Sequence, residues 1–226
     1  VEVEQPDLGT STSDLTRLRE ALAREWGLQD LAVDSHVVTS LQKALRARPA
    51  TAARSGAEDA SDNVSRAAWV VTVAVHDGSV VTAVWPGYHD AAYGIAFDVG
   101  STTVAGHLCD LHTGEVLASA GEMNPQIRFG EDLMSRVSYV MMNPGAEKEL
   151  TRAGRGCLAK LTAELAKDAG VARDDILEVV LVGNPVMHHL LLGIDPTELG
   201  GAPFALAIDE AVRRPARDLG LPVNDG

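Results

Sequence analysis

The sequence contains few cysteines and no long apolar run, and each shortage excludes a class of protein. Its two cysteines, Cys109 and Cys157, lie far apart and share no motif, which disfavours a disulfide framework and a zinc site. Two thiols also cannot supply the four ligands of a [2Fe–2S] cluster, so we predict that both are small core residues. No apolar run approaches the ~20 residues that a membrane-spanning helix needs.

Negative charge dominates the composition, with a formal net charge of −13 over 226 residues. Because phosphate backbones and anionic lipids repel such a chain, we expect neither a nucleic-acid partner nor a membrane partner. The N-terminus lacks the basic and then apolar pattern of a signal peptide, so we expect a cytoplasmic protein. The motifs G-x-x-x-x-G-K-[ST] and G-x-G-x-x-G are absent, which disfavours a P-loop protein and a dinucleotide-binding fold.

Two helices and a hairpin are predicted in the first half of the chain. Apolar residues at helical spacing predict one helix between Ser13 and Gly27 and a second at residues 36–46. Residues 69–76 alternate with a period of two, and Asp77-Gly78 is a favoured two-residue turn back into another strand. The residues expected on the buried helix faces are Leu15, Leu18, Leu22 and Trp26 in the first helix and Val38, Leu41 and Leu45 in the second.

The second half predicts strands and helices in the order β-β-β-α-α-β-α. A meander that feeds helices and a later apolar strand at residues 176–182 is typical of a mixed sheet covered by helices, with that strand buried on both faces. The predicted helices lie at 129–142, from 143 to 170, and at 187–192. The predicted segments are a linker at 1–12, a small α+β domain at 13–88 with a surface loop at 49–63, and a second domain at 91–226.

One turn in the second half carries residues suited to phosphate chemistry. Gly100 lets the backbone approach an anion, and successive backbone N–H groups in such a turn form an anion-binding nest. The hydroxyls of Ser101, Thr102 and Thr103 add donors for phosphate oxygens. Asp98, at the end of the preceding strand, suits a catalytic role in which it holds Mg²⁺ against the phosphates, directly or through water. The alternative is an ordinary hairpin turn that is rich in Gly, Ser and Thr.

Residues 93–104 (YGIAFDVGSTTV) resemble the phosphate-1 motif of the actin/Hsp70/sugar-kinase (ASKHA) superfamily. More narrowly, the chain resembles the ATP-dependent reductive activators of corrinoid proteins, and residues 13–88 look like the middle domain of that family. The stretches that carry the narrower resemblance are residues 124–126 with 129–136, residues 182–189, and residues 192–196 with 202–204.

The resemblance implies an α/β fold: an actin-like (ribonuclease H-like) mixed sheet with flanking helices, preceded by a two-helix and hairpin domain. It also implies ATP and Mg²⁺ as ligands of the complete ATPase domain, and a [2Fe–2S] cluster in a longer parent protein rather than in this chain. The implied activity is ATP-driven reduction of a Co(II) corrinoid on a partner corrinoid protein. We expect the longer protein to be an ATPase and this chain alone to be inactive, and a homodimer is left open.

Three further groups of polar residues are candidates for a functional role. Adjacent histidines on a helix point in different directions, so His188 and His189 favour packing over a metal site. Asn184 follows a strand at the edge where α/β ligand sites form, which makes it a candidate cleft residue. A polar group on the loop and helix after the third strand suits either a solvated, salt-bridged helix start or a patch that faces the cleft or a partner. Its members are Asn124, Gln126, Arg128, Glu131, Asp132 and Arg136.

Fold does not decide function, so two alternatives stay open beside the redox activator. The first is a small-molecule kinase of the same superfamily, and the second is a non-catalytic interaction module. To find a cysteine-rich ferredoxin segment before this chain in a longer protein would favour the activator over the kinase. To find a second phosphate loop after this chain would favour an enzyme over the interaction module.

Overall fold

The computed structural model of the protein describes residues 1–9, 11–47 and 69–224. The surface loop predicted at 49–63 lies outside these residues. The chain divides into two compact units, Val1–Ala91 and Ala92–Asp225.

The first unit contains the two predicted helices and the predicted hairpin. Helix α1 begins after Ser13, whose side chain accepts from Thr16 N, and it ends at Gly27 in the left-handed conformation. Asp77 and Gly78 form the hairpin turn with φ values of 47° and 63°. A short parallel strand, β1, joins the hairpin to give the sheet order β1-β3-β2. The elements are α1 (Asp14–Trp26), β1 (Ala32–Val33), α2 (Ser35–Arg46), β2 (Val71–His76) and β3 (Val80–Pro86).

Two of the predicted core positions in this unit are wrong. Trp26 is 69% exposed at the last position of α1, and Val38 is 48% exposed on α2. Helix α2 instead buries Val37, and the neighbouring position therefore points about 100° away from the core. Within the segment predicted as a linker, Val3 is buried and its N–H donates to Trp69 O.

The second unit is a four-stranded mixed sheet with helices. The strand order is β6-β5-β4-β7, in which β4, β5 and β6 are antiparallel neighbours and β7 runs parallel to β4. The mixed sheet predicted from the element order is therefore confirmed. The strands are β4 (Tyr93–Val99), β5 (Thr103–Asp110), β6 (Val116–Met123) and β7 (Ile176–Gly183). The α-helices are α3 (Leu133–Met142), α4 (Glu147–Ala169), α5 (Pro185–Leu192) and α6 (Ala216–Leu219).

Two of these helices begin later than predicted. A separate 3-10 helix, Pro125–Phe129, precedes α3, and Asp132 then caps α3 by accepting from Ser135 N. Helix α4 begins at Glu147 rather than at the preceding Asn-Pro pair, and it ends as predicted at Gly170.

One face of the sheet carries the core of this unit. Side chains that alternate along β4 and β5, such as Ile95, Phe97 and Leu108, form one buried cluster with Leu161 and Leu165 of α4. On the opposite face, Asp98 and His107 are exposed.

The prediction that β7 is buried on both faces is wrong. Val180 and Val182 are 49% and 57% exposed, because β7 is an edge strand of the described sheet and only one sheet face is covered. No helix of the described residues is long and apolar enough to cross a membrane.

Candidate functional site

The turn at residues 100–103 joins β4 to β5 at one end of the sheet. Asp98 is the second-last residue of β4 and its side chain is exposed. The hairpin closes through a 3.0 Å hydrogen bond from Gly100 N to Thr103 O. A Cβ at Gly100 would lie only 2.7 Å from that same oxygen, so the tight turn requires glycine.

Three successive carbonyl groups of this turn accept hydrogen bonds from residues that are distant in sequence. The Asn124 side-chain amide donates to Gly100 O at 2.8 Å, and its backbone N–H donates to Thr102 O at 2.7 Å. Between them, the Arg136 guanidinium donates to Ser101 O. The turn is therefore held by Asn124 and Arg136 on the carbonyl side of its backbone.

The amide side of the same turn is open. In a planar trans peptide the C=O and N–H groups point in opposite directions, so engaged carbonyls leave the next N–H groups directed away from Asn124 and Arg136. The N–H groups of Ser101 and Thr102 make no hydrogen bond within the described part of the chain. The same holds for the hydroxyls of Ser101, Thr102 and Thr103. The turn thus presents open backbone amides in succession, as an anion-binding nest does, and it carries three hydroxyl donors that have no partner among the described residues.

Arg136 is fully buried, with 0% of its surface exposed. Besides Ser101 O, its guanidinium donates to Gly130 O at 3.0 Å, to Gln126 Oε1 at 3.4 Å and to the Met187 sulfur at 3.4 Å. Among residues 1–9, 11–47 and 69–224, no carboxylate forms an ion pair with it.

The local fold brings Arg136 close to the backbone of the preceding loop. Burial lowers the pKa of the guanidinium, and the Asp132 carboxylate at the start of α3 acts in the opposite direction. A Cβ at Gly130 would lie 2.6 Å from Arg136 N, so this approach also requires glycine.

Asn124 is held as firmly as Arg136. It is 1% exposed, and its side-chain oxygen accepts from Gln126 N at 2.9 Å, which caps the 3-10 helix. Both ends of the amide therefore have partners. Because the oxygen is engaged by the cap, the NH₂ group faces Gly100 O.

The prediction for the polar group around α3 needs correction. Asn124, Gln126 and Arg136 are buried, so they form neither a solvated helix start nor a surface patch. The other three members are exposed: Arg128, Glu131 and Asp132. One signal in the sequence did point to Arg136. It lies three residues after Leu133 and four before Val140, on the apolar face of α3, where a charged side chain needs an explanation.

Asn184 lies at the end of β7, next to Gly183, which pairs in register with Val99 of β4. Its side chain accepts from Met187 N at 3.0 Å and so caps α5. The Met187 sulfur also accepts from Asn124 Nδ2 at 3.7 Å, which connects the first turn of α5 to the residues behind the 100–103 turn. The cleft role of Asn184 stays a prediction.

The packing role predicted for His189 is confirmed. The ring is 1% exposed; its Nδ1 lies 2.7 Å from Pro185 O, and its Nε2 accepts from Ala207 N at 3.0 Å. Both ring nitrogens are thus occupied. Within the residues that the structure describes, no group of three or more His, Cys, Asp or Glu could hold a metal ion.

The two cysteines differ in their surroundings. Cys157 is buried as predicted, and burial together with Glu122 raises the pKa of its thiol to about 12. Cys109 is only half-buried, on the sheet face opposite the core. The core prediction therefore holds for Cys157 and only in part for Cys109.

The chain is similar to known proteins in sequence and in structure. Residues 93–226 match the model of the RACo middle region, and residues 1–53 match the model of the RACo linker region. The chain belongs to the RACo family. The resemblance to activators of corrinoid proteins is therefore confirmed. The middle-region model, however, matches residues 93–226 and not the segment 13–88 that resembled the middle domain, and its match includes the 100–103 turn, Asn124, Arg136 and Asn184.

Two relatives of this RACo-family chain are similar over different spans. The corrinoid activation enzyme RamQ of Eubacterium limosum is 37% identical over 132 residues, which cover 58% of this chain and 22% of RamQ. The solved structure of a reductive activator for corrinoid, iron-sulfur protein matches with a TM-score of 0.78 and 29% identity. That match covers 99% of this chain and 33% of the relative, and it confirms the predicted fold class. The chain thus spans a third or less of each relative.

Proposed function

We propose that this chain supplies one side of the nucleotide-phosphate site of an ATP-dependent reductive activator of a corrinoid protein. The observation that carries the proposal is the 100–103 turn, whose carbonyls are engaged while the amides of Ser101 and Thr102 and its three hydroxyls are open. The names of the two relatives, a corrinoid activation enzyme and a reductive activator, support the same activity.

In this proposal the phosphate oxygens of ATP accept from the backbone amides of Ser101 and Thr102 and from the hydroxyls of Ser101, Thr102 and Thr103. Gly100 belongs to the same phosphate site because it lets the backbone turn tightly beside the phosphates. Asp98 is the proposed Mg²⁺ ligand, directly or through water. Its carboxylate suits a hard cation because it is exposed at a strand end and forms no ion pair within the described residues. Bound Mg²⁺ supplies neutralisation of the charge that develops on the phosphates.

Asn184 is proposed as a residue of the same cleft. It begins α5 at the end of β7, and β7 and β4 are parallel neighbours that end together in register. The C-terminal ends of parallel strands are where ligand clefts form in α/β sheets.

The proposed reaction couples ATP use to electron transfer from a [2Fe–2S] cluster to a Co(II) corrinoid. The cluster belongs to the full-length protein, because the two thiols of this chain lie far apart in sequence and cannot supply its four ligands. The proposed partner is a corrinoid protein, and the proposed location is the cytoplasm. A homodimer is compatible with this proposal. The proposal assigns no role to nucleic acid or to a membrane.

The test is made with the full-length protein, its corrinoid partner, an electron donor, Mg²⁺ and ATP under anaerobic conditions. We expect the visible spectrum to report conversion of Co(II) to Co(I) only when ATP is present. ATP consumption with a phosphorylated small molecule and no cobalt reduction supports the kinase alternative. Binding of the corrinoid protein without any binding of nucleotide supports the interaction module.

A further inference from the structure

Arg136 is a buried cation that has only neutral hydrogen-bond partners among the described residues. Its acceptors are the carbonyls of Ser101 and Gly130, the side-chain oxygen of Gln126 and the sulfur of Met187. Neutral acceptors satisfy the N–H groups, but they do not return the free energy lost when a full charge leaves water. A buried guanidinium of this kind is stabilised when an anion binds nearby.

The turn that Arg136 holds has an open amide side, which lies one peptide unit away from the guanidinium. The same peptide units accept from Arg136 and Asn124 on one side and present free N–H groups on the other. The peptide between Ser101 and Thr102 therefore runs from the buried guanidinium to the open amide of Thr102. The peptide before it runs from the Asn124 side-chain amide to the open amide of Ser101. A positive charge at the carbonyl end adds to the positive potential at the amide end.

We propose that Arg136, assisted by Asn124, is a positioning residue that makes the 100–103 turn selective for the phosphate groups of the nucleotide. It fixes the orientation of the peptide units and supplies buried positive charge, without touching the ligand. This inference rests on the proposed function, because it takes the ligand of the turn to be the phosphate chain of ATP.

A purely structural role, in which Arg136 only attaches α3 to the turn, predicts something different. A structural attachment affects every ligand of the protein in proportion to lost folding. The positioning role affects only ligands that carry phosphate. Adenosine and ATP share the nucleoside and differ in the phosphates, so the pair separates the two roles.

The experiment measures the affinities of the full-length protein for ATP and for adenosine in the presence of Mg²⁺, by calorimetry. For Arg136→Gln we expect the ATP affinity to fall by about tenfold or more, as for the loss of one charge-assisted interaction, with adenosine affinity unchanged. Arg136→Lys keeps the charge but not the fork of donors, and we expect an intermediate ATP affinity.

Two further variants supply a substitute and a control for Arg136→Gln. Asn124→Asp retains the cap on Gln126 N but replaces the donor to Gly100 O with a negative oxygen, so it should also weaken ATP alone. If Arg136→Gln does not fold, Asn124→Asp provides the test in its place. The control Arg155→Gln removes another guanidinium that donates to backbone carbonyls, those of Leu191 at 2.8 Å and Asp218 at 3.2 Å. It should leave both affinities unchanged.

The outcomes distinguish this inference from the proposal on which it rests. If the wild-type protein binds ATP no more tightly than adenosine, the proposed phosphate site is wrong and the inference fails with it. If ATP binds more tightly but the Arg136 and Asn124 variants lose ATP and adenosine equally, or lose neither, the inference alone is overturned.

Discussion

Strand β5 runs between two tight turns, and the two satisfy their backbone groups in opposite ways. At the turn of residues 111–114, Asp110 Oδ1 accepts from His112 N at 2.7 Å and from Thr113 N at 3.0 Å. That turn uses its amides on a side chain of its own segment. At the turn of residues 100–103, the carbonyls of Gly100, Ser101 and Thr102 accept from the remote residues Asn124 and Arg136, and the amides of Ser101 and Thr102 are open.

The comparison separates a structural turn from a candidate site where the sequences look alike. Each turn follows an aspartate and contains glycine and threonine. The Asp110 carboxylate has the local role that was the alternative for Asp98, and the Thr113 and His112 amides hold the pKa of Asp110 below its usual range. No amide of the described residues donates to the side-chain carboxylate of Asp98. An aspartate without a local role beside open amides is the combination that a metal–phosphate ligand needs.

The largest expected effect is at Asp98. In the full-length protein, Asp98→Asn removes the proposed Mg²⁺ ligand while barely changing shape, and the exposed side chain contributes little packing. Because metal-assisted charge stabilisation is worth several kcal/mol, ATP-dependent corrinoid reduction should fall by about a hundredfold or more. Asp110→Asn is the matched control and should keep its activity. Equal activity of both variants, with thermal stability measured alongside, would remove the distinction between the turns.

A smaller effect is expected at Gly100. The added Cβ of Gly100→Ala meets Thr103 O at 2.7 Å, so the turn must open and its amides lose their alignment. We expect ATP affinity to fall by about tenfold in a calorimetric titration.

The control for this change is Gly156→Ala, because a Cβ at Gly156 in α4 meets no atom within 4 Å. That change should stabilise the helix by roughly 0.5–1 kcal/mol and leave ATP affinity as it is. Tight ATP binding by the Gly100 variant contradicts the proposed phosphate contact.

The smallest expected effect concerns the stability of the control turn. Because the folded-state pKa of Asp110 is lowered, its charge contributes stability at pH above the unfolded value of about 3.9. This contribution is lost as the pH falls through the folded-state pKa. Asp110→Asn should therefore melt slightly lower than wild type at pH 7, and the difference should vanish in acid. If the difference in melting temperature between wild type and Asp110→Asn grew as the pH fell, it would contradict the stabilising role of the Asp110 charge.

Local signals predicted the elements well. Ser13 and Gly27 mark the two ends of α1, and Asp77-Gly78 marks the hairpin turn. Both could be predicted because helix caps and tight turns depend on residues that are close in sequence. It was harder to predict which of two adjacent residues faces the core. Val38 was expected on the buried face of α2, but the neighbouring Val37 is the buried residue.

Tertiary contacts explain most of what the sequence could not predict about the site. Asp98 and the 100–103 turn could be proposed from residue types alone. The burial of Asn124 and Arg136 could not, because it depends on α3 and the 3-10 helix packing behind a turn more than twenty residues earlier. The exposure of Val180 likewise depends on which strand ends the described sheet, and strand composition does not determine this.

The central claim is that the open amides of the 100–103 turn bind the phosphates of ATP. Hydrogen–deuterium exchange of the full-length protein, with and without Mg²⁺ and ATP, tests it directly, because bound amides exchange more slowly. We expect nucleotide to protect the amides of Ser101 and Thr102 and to leave those of His112 and Thr113 unchanged. Saturation with ATP without protection at Ser101 and Thr102 would contradict the account.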